Sequence, residues 1–427
     1  MRQHLLWIYL GCLTAVLGFI LIPVYASDLS LKAGLGYEFL SQDFYLDSLE
    51  TSGEDSLAAV TQFKTTYLDD LKAQLSLRYL PLEDRSLEFQ TDLDQTADLM
   101  RLRFTNRYRP KWGPFKIDWH GEFDWRKNVG DGADRSDAYI YGHGRAKLML
   151  PISERSTLSW QLRGDVVQFD SVAAPSFNHY RIGGEIGYTL YMADFSSLTV
   201  KSFLQGRKVA DSTRLDYLNY GIEGSLLAFY GLEGEMDVYT RLEVKDYNQL
   251  PGEGDYLRFE AAVRHKLPVR GQLFAKQELE VEAINYDQSD LYTANNTRLS
   301  LDLLMGYDML SFVPAVGPHL EYLYEATNSD LLAGEGYVEG GLQIELDYID
   351  ATRIFLSGES VTGRRSLTDE SDFLSDFTFE RLNLLADLRL WRGLNFTALL
   401  SAEWEWHDQS DENSRIVVLS SGLTYTF

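Results

Sequence analysis

From about residue 28 to its end the chain alternates in two-residue steps, apolar then charged. In 116–124, Ile117, Trp119, Gly121 and Phe123 fall on one side, and Lys116, Asp118, His120, Glu122 and Asp124 on the other. In 298–308, Leu299, Leu301, Leu303, Met305 and Tyr307 oppose Arg298, Ser300, Asp302 and Asp308. In 394–407, Phe396, Ala398, Leu400, Ala402, Trp404 and Trp406 oppose Asn395, Thr397, Ser401, Glu403, Glu405 and His407. Period two puts one apolar and one polar face on every strand. No later stretch holds a long 3.6-residue period or is apolar enough for a membrane helix. The mature chain is therefore all-β.

A single sheet of so many strands with one greasy face must close or stack. A soluble sandwich would bury that face in a thin core, and a β-helix would need a short fixed-period repeat, which is not found. The connectors decide between these. Short turns near 81–85, 110–114, 151–155, 193–196, 229–231, 268–271, 312–318, 349–352 and 391–393 alternate with longer polar loops. Seven of the nine mature prolines (Pro81, Pro110, Pro114, Pro151, Pro268, Pro314, Pro318) sit at the short turns, where a missing N–H costs the ladder least. Short turns on one side and longer loops on the other are the layout of a single antiparallel transmembrane β-barrel. The count is about 20 strands (18–22). A break at Asp69-Asp70 would make it odd, but the alternation keeps its phase from Phe63 to Leu77, so 57–80 reads as one long strand whose upper part leaves the bilayer.

The two ends agree. Residues 1–26 open with Arg2, run apolar from about Leu5 to Ile22 and end Val24-Tyr25-Ala26, the build of an export signal peptide. The barrel would then be 27–427 and hold no cysteine, since Cys12 is the only one. The chain closes Ser420-Ser421-Gly422-Leu423-Thr424-Tyr425-Thr426-Phe427. With Gly422, Tyr425 and Phe427 in place, this resembles the terminal targeting signal of bacterial outer-membrane β-barrel proteins, porin-like in architecture. The resemblance implies a Gram-negative outer-membrane location. It also implies contact with lipid and lipopolysaccharide, and handling by the barrel-assembly machinery, which pairs with the edge of the last strand. It covers the architecture and no functional family.

The formal charge is −25, which argues against a nucleic-acid partner. It is uneven: residues 1–210 carry 23 Lys/Arg and 26 Asp/Glu, and residues 211–427 carry 16 and 38. About 20 strands close too wide for side chains alone to fill, so a water-filled lumen lined by the charged face is expected. On that face Arg101, Arg103, Arg107, Arg145, Lys147 and Arg163 make the first half basic. Glu278, Glu280, Glu282, Glu345, Asp347, Glu403 and Glu405 make the second half acidic. A basic wall opposite an acidic one sets a transverse field that favours hydrated polar solutes, with a modest cation preference from the net acidity. The same charges also suit cross-strand ion-pair ladders.

The expected function is passive diffusion of small hydrophilic solutes or ions. A second reading is a conduit barrel that holds a lumen-filling periplasmic partner, such as a multihaem cytochrome or an export assembly; a homo-oligomer is the other partner expected, and trimeric assembly would help separate the two readings. A third is a rim enzyme, for which Glu403, Glu405 and His407 with Asp408 form the best local cluster. Residues 131–137 (DGADRSD) lack the spacing of a calcium loop. No cofactor, metal or catalytic set is expected, and no plug domain or folded-in loop is evident.

Overall fold

The computed structural model describes residues 28–426, apart from 52–56, 83, 97–98, 129–138, 170–177, 211–212, 214–215, 232–233, 248–253, 288–294, 327–334, 351–352, 369–374 and 410–412. The signal segment 1–26, Phe427 and the 131–137 loop lie outside the described residues.

The chain is antiparallel strand throughout: β1 (Asp28–Thr51), β2 (Leu57–Leu80), β3 (Leu87–Gln95), β4 (Leu99–Tyr108), β5 (Lys111–Trp112) and β6 (Phe115–Asn128). Then come β7 (Tyr139–Ser153), β8 (Ser156–Phe169), β9 (His179–Tyr191), β10 (Ser197–Val209), β11 (Tyr217–Tyr230), β12 (Gly234–Tyr247), β13 (Tyr256–Arg270) and β14 (Leu273–Tyr286). The last are β15 (Asn295–Tyr307), β16 (Phe312–Ala326), β17 (Glu335–Asp350), β18 (Ile354–Leu367), β19 (Phe377–Trp391), β20 (Leu394–His407) and β21 (Ser414–Thr426). The two residues of β5 resume β4 beyond Arg109-Pro110, and both pair with β6. Each other strand pairs with its chain neighbours, and β1 pairs with β21. The sheet closes as a barrel of 20 staves, the even count expected. Closure leaves no free edge for every N–H and C=O to satisfy in lipid.

Leu57–Leu80 is one strand, as the unbroken phase requires. It pairs with β1 along its whole length, but with β3 only over Ala73–Tyr79, while β1 meets β21 only over Lys32–Asp43. The far ends of β1 and β2 therefore pair with each other alone, as a two-stranded ribbon continuing past the wall.

Hydrogen bonds that skip strands identify the concave face. Arg163 on β8 reaches Gln205 on β10, Arg381 on β19 reaches Glu339 on β17, and Lys276 on β14 reaches Glu345 on β17. Neighbouring strands stand about 4.8 Å apart, so such reaches succeed only where side chains converge. The charged face is thus the inside. The opposite face exposes Leu299, Leu303, Met305 and Tyr307, and likewise Leu342, Ile344 and Leu346, a belt with lipid as its natural solvent. The protein is an outer-membrane-type transmembrane barrel.

The rim with the short turns and the C-terminal end of β21 is the periplasmic one by this layout. At the outer rim one device recurs. The last backbone N–H of an outgoing strand donates to the side-chain oxygen of an Asn or Asp just before, or opening, the return strand. Phe169 donates to Asn178, Val209 to Asp216 and Tyr247 to Asp255. Tyr286 donates to Asn295, Leu367 to Asp376 and His407 to Asn413. These clasps end the ladder whatever the loop length, by the local side-chain bonding that suits Asx residues. Asp376 lies outside the membrane span, and the Leu367 N–H holds its carboxyl below the ordinary aspartate range.

Candidate functional site: the lumen wall

The inner face gathers the charged residues that the alternation placed there, and neighbours in register decide what each can do. On β4, Arg101 bonds Asp124, Arg103 stands 3.4 Å from Glu122, and Arg107 reaches Asp118 at 2.7 Å. The predicted acidic residues are engaged as well. Glu278 lies 3.1 Å from Lys276, Glu280 lies 3.5 Å from Arg264, and Glu282 accepts from Arg258 at 2.8 Å. Glu345 takes the Lys276 amine at 2.7 Å, and Asp347 takes the Ser357 hydroxyl at 2.6 Å. Glu403 takes Arg381 at 2.8 Å, and Glu405 takes the Ser414 hydroxyl at 2.5 Å. Most of the inner charge is therefore laid out as cross-strand pairs, the sheet's own unit of stabilisation.

The densest part spans β15–β20. Glu339 has no exposed surface. Arg365 donates to it at 2.6 Å, Arg381 at 2.7 Å, and His319 Nε2 lies at 3.2 Å with Asp302 on its other nitrogen at 2.5 Å. Beside it Glu321 accepts from Arg298 at 3.0 Å and from the Tyr337 hydroxyl. Below, Leu304, Phe274 and Ala315 form a small apolar cluster, and Phe379, Phe377 and Val361 form another above. Lys276 crosses to Glu345 because the staves between carry Leu304, Gly306, Ala315 and Gly317. A Cβ on Gly317 would fall 1.8 Å from the Leu303 carbonyl oxygen, so that position admits only glycine.

Among the described residues, one group brings metal-type ligand atoms together: His319, Glu321 and Glu339, within 4.8 Å. Its chemistry does not fit a cation. Two guanidinium groups already occupy Glu339, a third occupies Glu321, and Asp302 occupies His319. Sequence reasoning singled out none of His319, Arg365 and Arg381. The only signal was their parity on the inner face.

The stretch of β7 and β8 around Arg145 differs, although Arg181 on β9 pairs with Asp165 on β8 at 2.7 Å. Arg145 stands directly opposite His120 on one side and Arg163 on the other. Neither Arg145, Lys147 nor Arg163 has a carboxylate within ion-pair distance among the described residues. Arg163 donates instead to Gln205 at 2.6 Å, passing over Gly183, whose Cβ would sit 3.4 Å from the Arg163 Nε. Arg145 Nε and His143 Nδ1 are buried with no hydrogen-bond partner. Opposed like charges are unfavourable in a sheet, and buried donors left unpaired are costly.

The rim candidates resolve plainly. His407 is buried against the Phe377 ring at 4.5 Å, with Nδ1 3.2 Å from the Ser375 carbonyl and Nε2 3.6 Å from Glu405. That is a packed strand end. Gly422 sits opposite Gly36 and Thr397, and Tyr425 is exposed on the lipid face.

Strand bounds also relocate the net charge. The ten outer connectors carry 21 acidic and two basic residues, and the periplasmic ones six and five. Among the described residues, Asp216, Asp255, Asp287, Asp376 and Asp408 stand at the outer strand ends.

No family profile and no curated protein matches the chain. Solved structures do. The siderophore receptor PirA from Pseudomonas aeruginosa aligns at TM-score 0.51 and 11% identity, over 92% of this chain and 80% of that one. OpdQ from Pseudomonas aeruginosa aligns at TM-score 0.46 and 10% identity, over 94% and 98%. A BenF-like porin from Pseudomonas fluorescens Pf-5 aligns at TM-score 0.46 and 12% identity, over 93% and 99%. At these identities the likeness to PirA is one of fold, a closed outer-membrane barrel.

Proposed function

We propose that the protein is an outer-membrane channel for passive diffusion of small hydrophilic solutes. The observation that carries this reading is the basic stretch Arg145, Lys147 and Arg163 on the inner wall, none of them in an ion pair among the described residues although Asp118 stands opposite Lys147. OpdQ and the BenF-like porin have comparable barrels, and the latter is described as a porin. Solutes entering this barrel first meet an acidic outer mouth, which concentrates cations. They then pass a wall with one charge-saturated side and one side whose guanidinium and ammonium groups stand outside ion pairs among the described residues. Local fields of that kind steer and sort hydrated solutes by charge and dipole. Arg101, Arg103 and Arg107, with Glu278, Glu280 and Glu282, act as secondary tuners because each is already paired. In the same reading Gly422, Tyr425 and Phe427 present the last strand to the assembly machinery.

The test is single-channel conductance of refolded 27–427 in a planar bilayer under a salt gradient. Steady conductance with mild cation preference is expected. A verified folded barrel that does not conduct would overturn the reading and direct attention to a lumen-filling partner.

A further inference from the structure

The lipid face carries a depression of about 640 Å³ on the same side as the saturated wall. Its floor is made of small residues, Gly358, Ala386 and Ala398, and its sides are Leu346, Leu384 and Leu400. The register places these residues on the outer face of β17–β20, opposite in parity to Glu345, Glu359 and Glu403. At the periplasmic end stands Tyr348. Just beyond lie the β17–β18 and β19–β20 turns with Arg353 and Arg392, both exposed and without an ion pair among the described residues.

We infer that this depression holds one acyl chain of an anionic phospholipid from the periplasmic leaflet, its phosphate received by Arg353 and Arg392. Three observations choose the occupant. The depression opens within the apolar belt, so what fills it is hydrocarbon. Its mouth meets the headgroup level where an aromatic ring stands, the habitual depth of tyrosine. Neither of the two cations at that mouth is in an ion pair among the described residues, and each basic residue near an anionic surface attracts a lipid headgroup. A second barrel copy would match the apolar floor but supplies no reason for paired free cations at one end.

The experiment uses the full barrel refolded into phosphatidylethanolamine vesicles containing a minor fraction of phosphatidylglycerol. After extraction in mild detergent, native mass spectrometry counts retained lipids. One phosphatidylglycerol per barrel is expected. R353Q/R392Q should lower retention about tenfold or more, and A398F, which fills the floor without altering charge, should abolish it. R155Q, on a turn of the opposite wall, should leave it unchanged. Equal loss in R155Q, no effect of R353Q/R392Q, or equal retention of phosphatidylethanolamine would overturn the assignment. So would a dimeric or trimeric mass that A398F converts to monomer, which would give the depression to a second copy.

Discussion

The β15–β20 wall and the stretch of β7 and β8 around Arg145 share a charged inner face, yet their charges are engaged differently. In the first, Glu339 is sealed beneath Arg365, Arg381 and His319, and every neighbouring carboxylate considered has a donor. In the second, Arg145 faces Arg163 with a buried Nε that no described residue satisfies. Counting charges along the chain would name the first wall acidic and active. Pairing reverses that: a carboxylate that neutralises two arginines projects little field into the lumen, whereas an unpaired guanidinium projects nearly all of its own. On the proposed function, the saturated side is the structural one and the stretch around Arg145 is the one that sorts solutes.

The comparison breaks most easily at Glu339. Glu339→Ala strips a buried carboxylate from two guanidinium groups, and removing one partner of such a set costs about 3–5 kcal/mol. Urea titration of the vesicle-folded barrel should show that loss. A change below about 1 kcal/mol would mean the network is decorative. The mirror substitution on the other wall, Arg145→Met, removes no partner. It should be neutral or stabilising in the same titration, since an unpaired buried donor disappears with it. A large loss there would contradict the reading of that wall as strained for function.

The outer clasps sharpen the same contrast between satisfied and unsatisfied groups on a smaller scale. Asp216→Ala frees the Val209 N–H and should cost about 1 kcal/mol, visible as faster hydrogen exchange at Val209. The clasp made by Asp376 should also depend on pH. Its carboxyl is held low by the Leu367 N–H, so its contribution is present above the ordinary aspartate range and is lost as the pH falls through the depressed folded value. Exchange at Leu367, corrected for intrinsic rate, should rise in that window. Exchange at Phe169, clasped by the uncharged Asn178, should not. Parallel behaviour at both sites would contradict the account.

Much of this was legible beforehand, because a strict period of two fixes the face of every residue. All thirteen lumen candidates, from Arg101 to Glu405, lie on the inner face, the staves number 20, and 57–80 is one strand. Height on the wall was not legible. Alternation says inside or outside but not which residue stands opposite, and that is set by register. Hence Arg101 could not be assigned to Asp124, nor Arg381 to Glu339, nor could Arg145 be known to stand outside the ion pairs of the described residues. The acidic character of the longer loops was legible in the sequence, and strand bounds put 14 of the 38 acidic residues of 211–427 in the outer connectors. The clasps carried a faint signal, an Asn or Asp just before or at the start of a return strand, but Asx residues are common in every loop.

The most direct test compares two triple variants in one bilayer experiment. R145Q/K147Q/R163Q removes the unpaired cations, and E278Q/E280Q/E282Q removes an equal number of paired carboxylates. The account predicts that the first raises the cation-to-anion permeability ratio by at least about twofold, within the range that charged clefts command, while the second leaves the reversal potential nearly unchanged. If the glutamate variant shifts the reversal potential as far as the arginine and lysine variant does, charge count governs this lumen, and the distinction between its two walls fails.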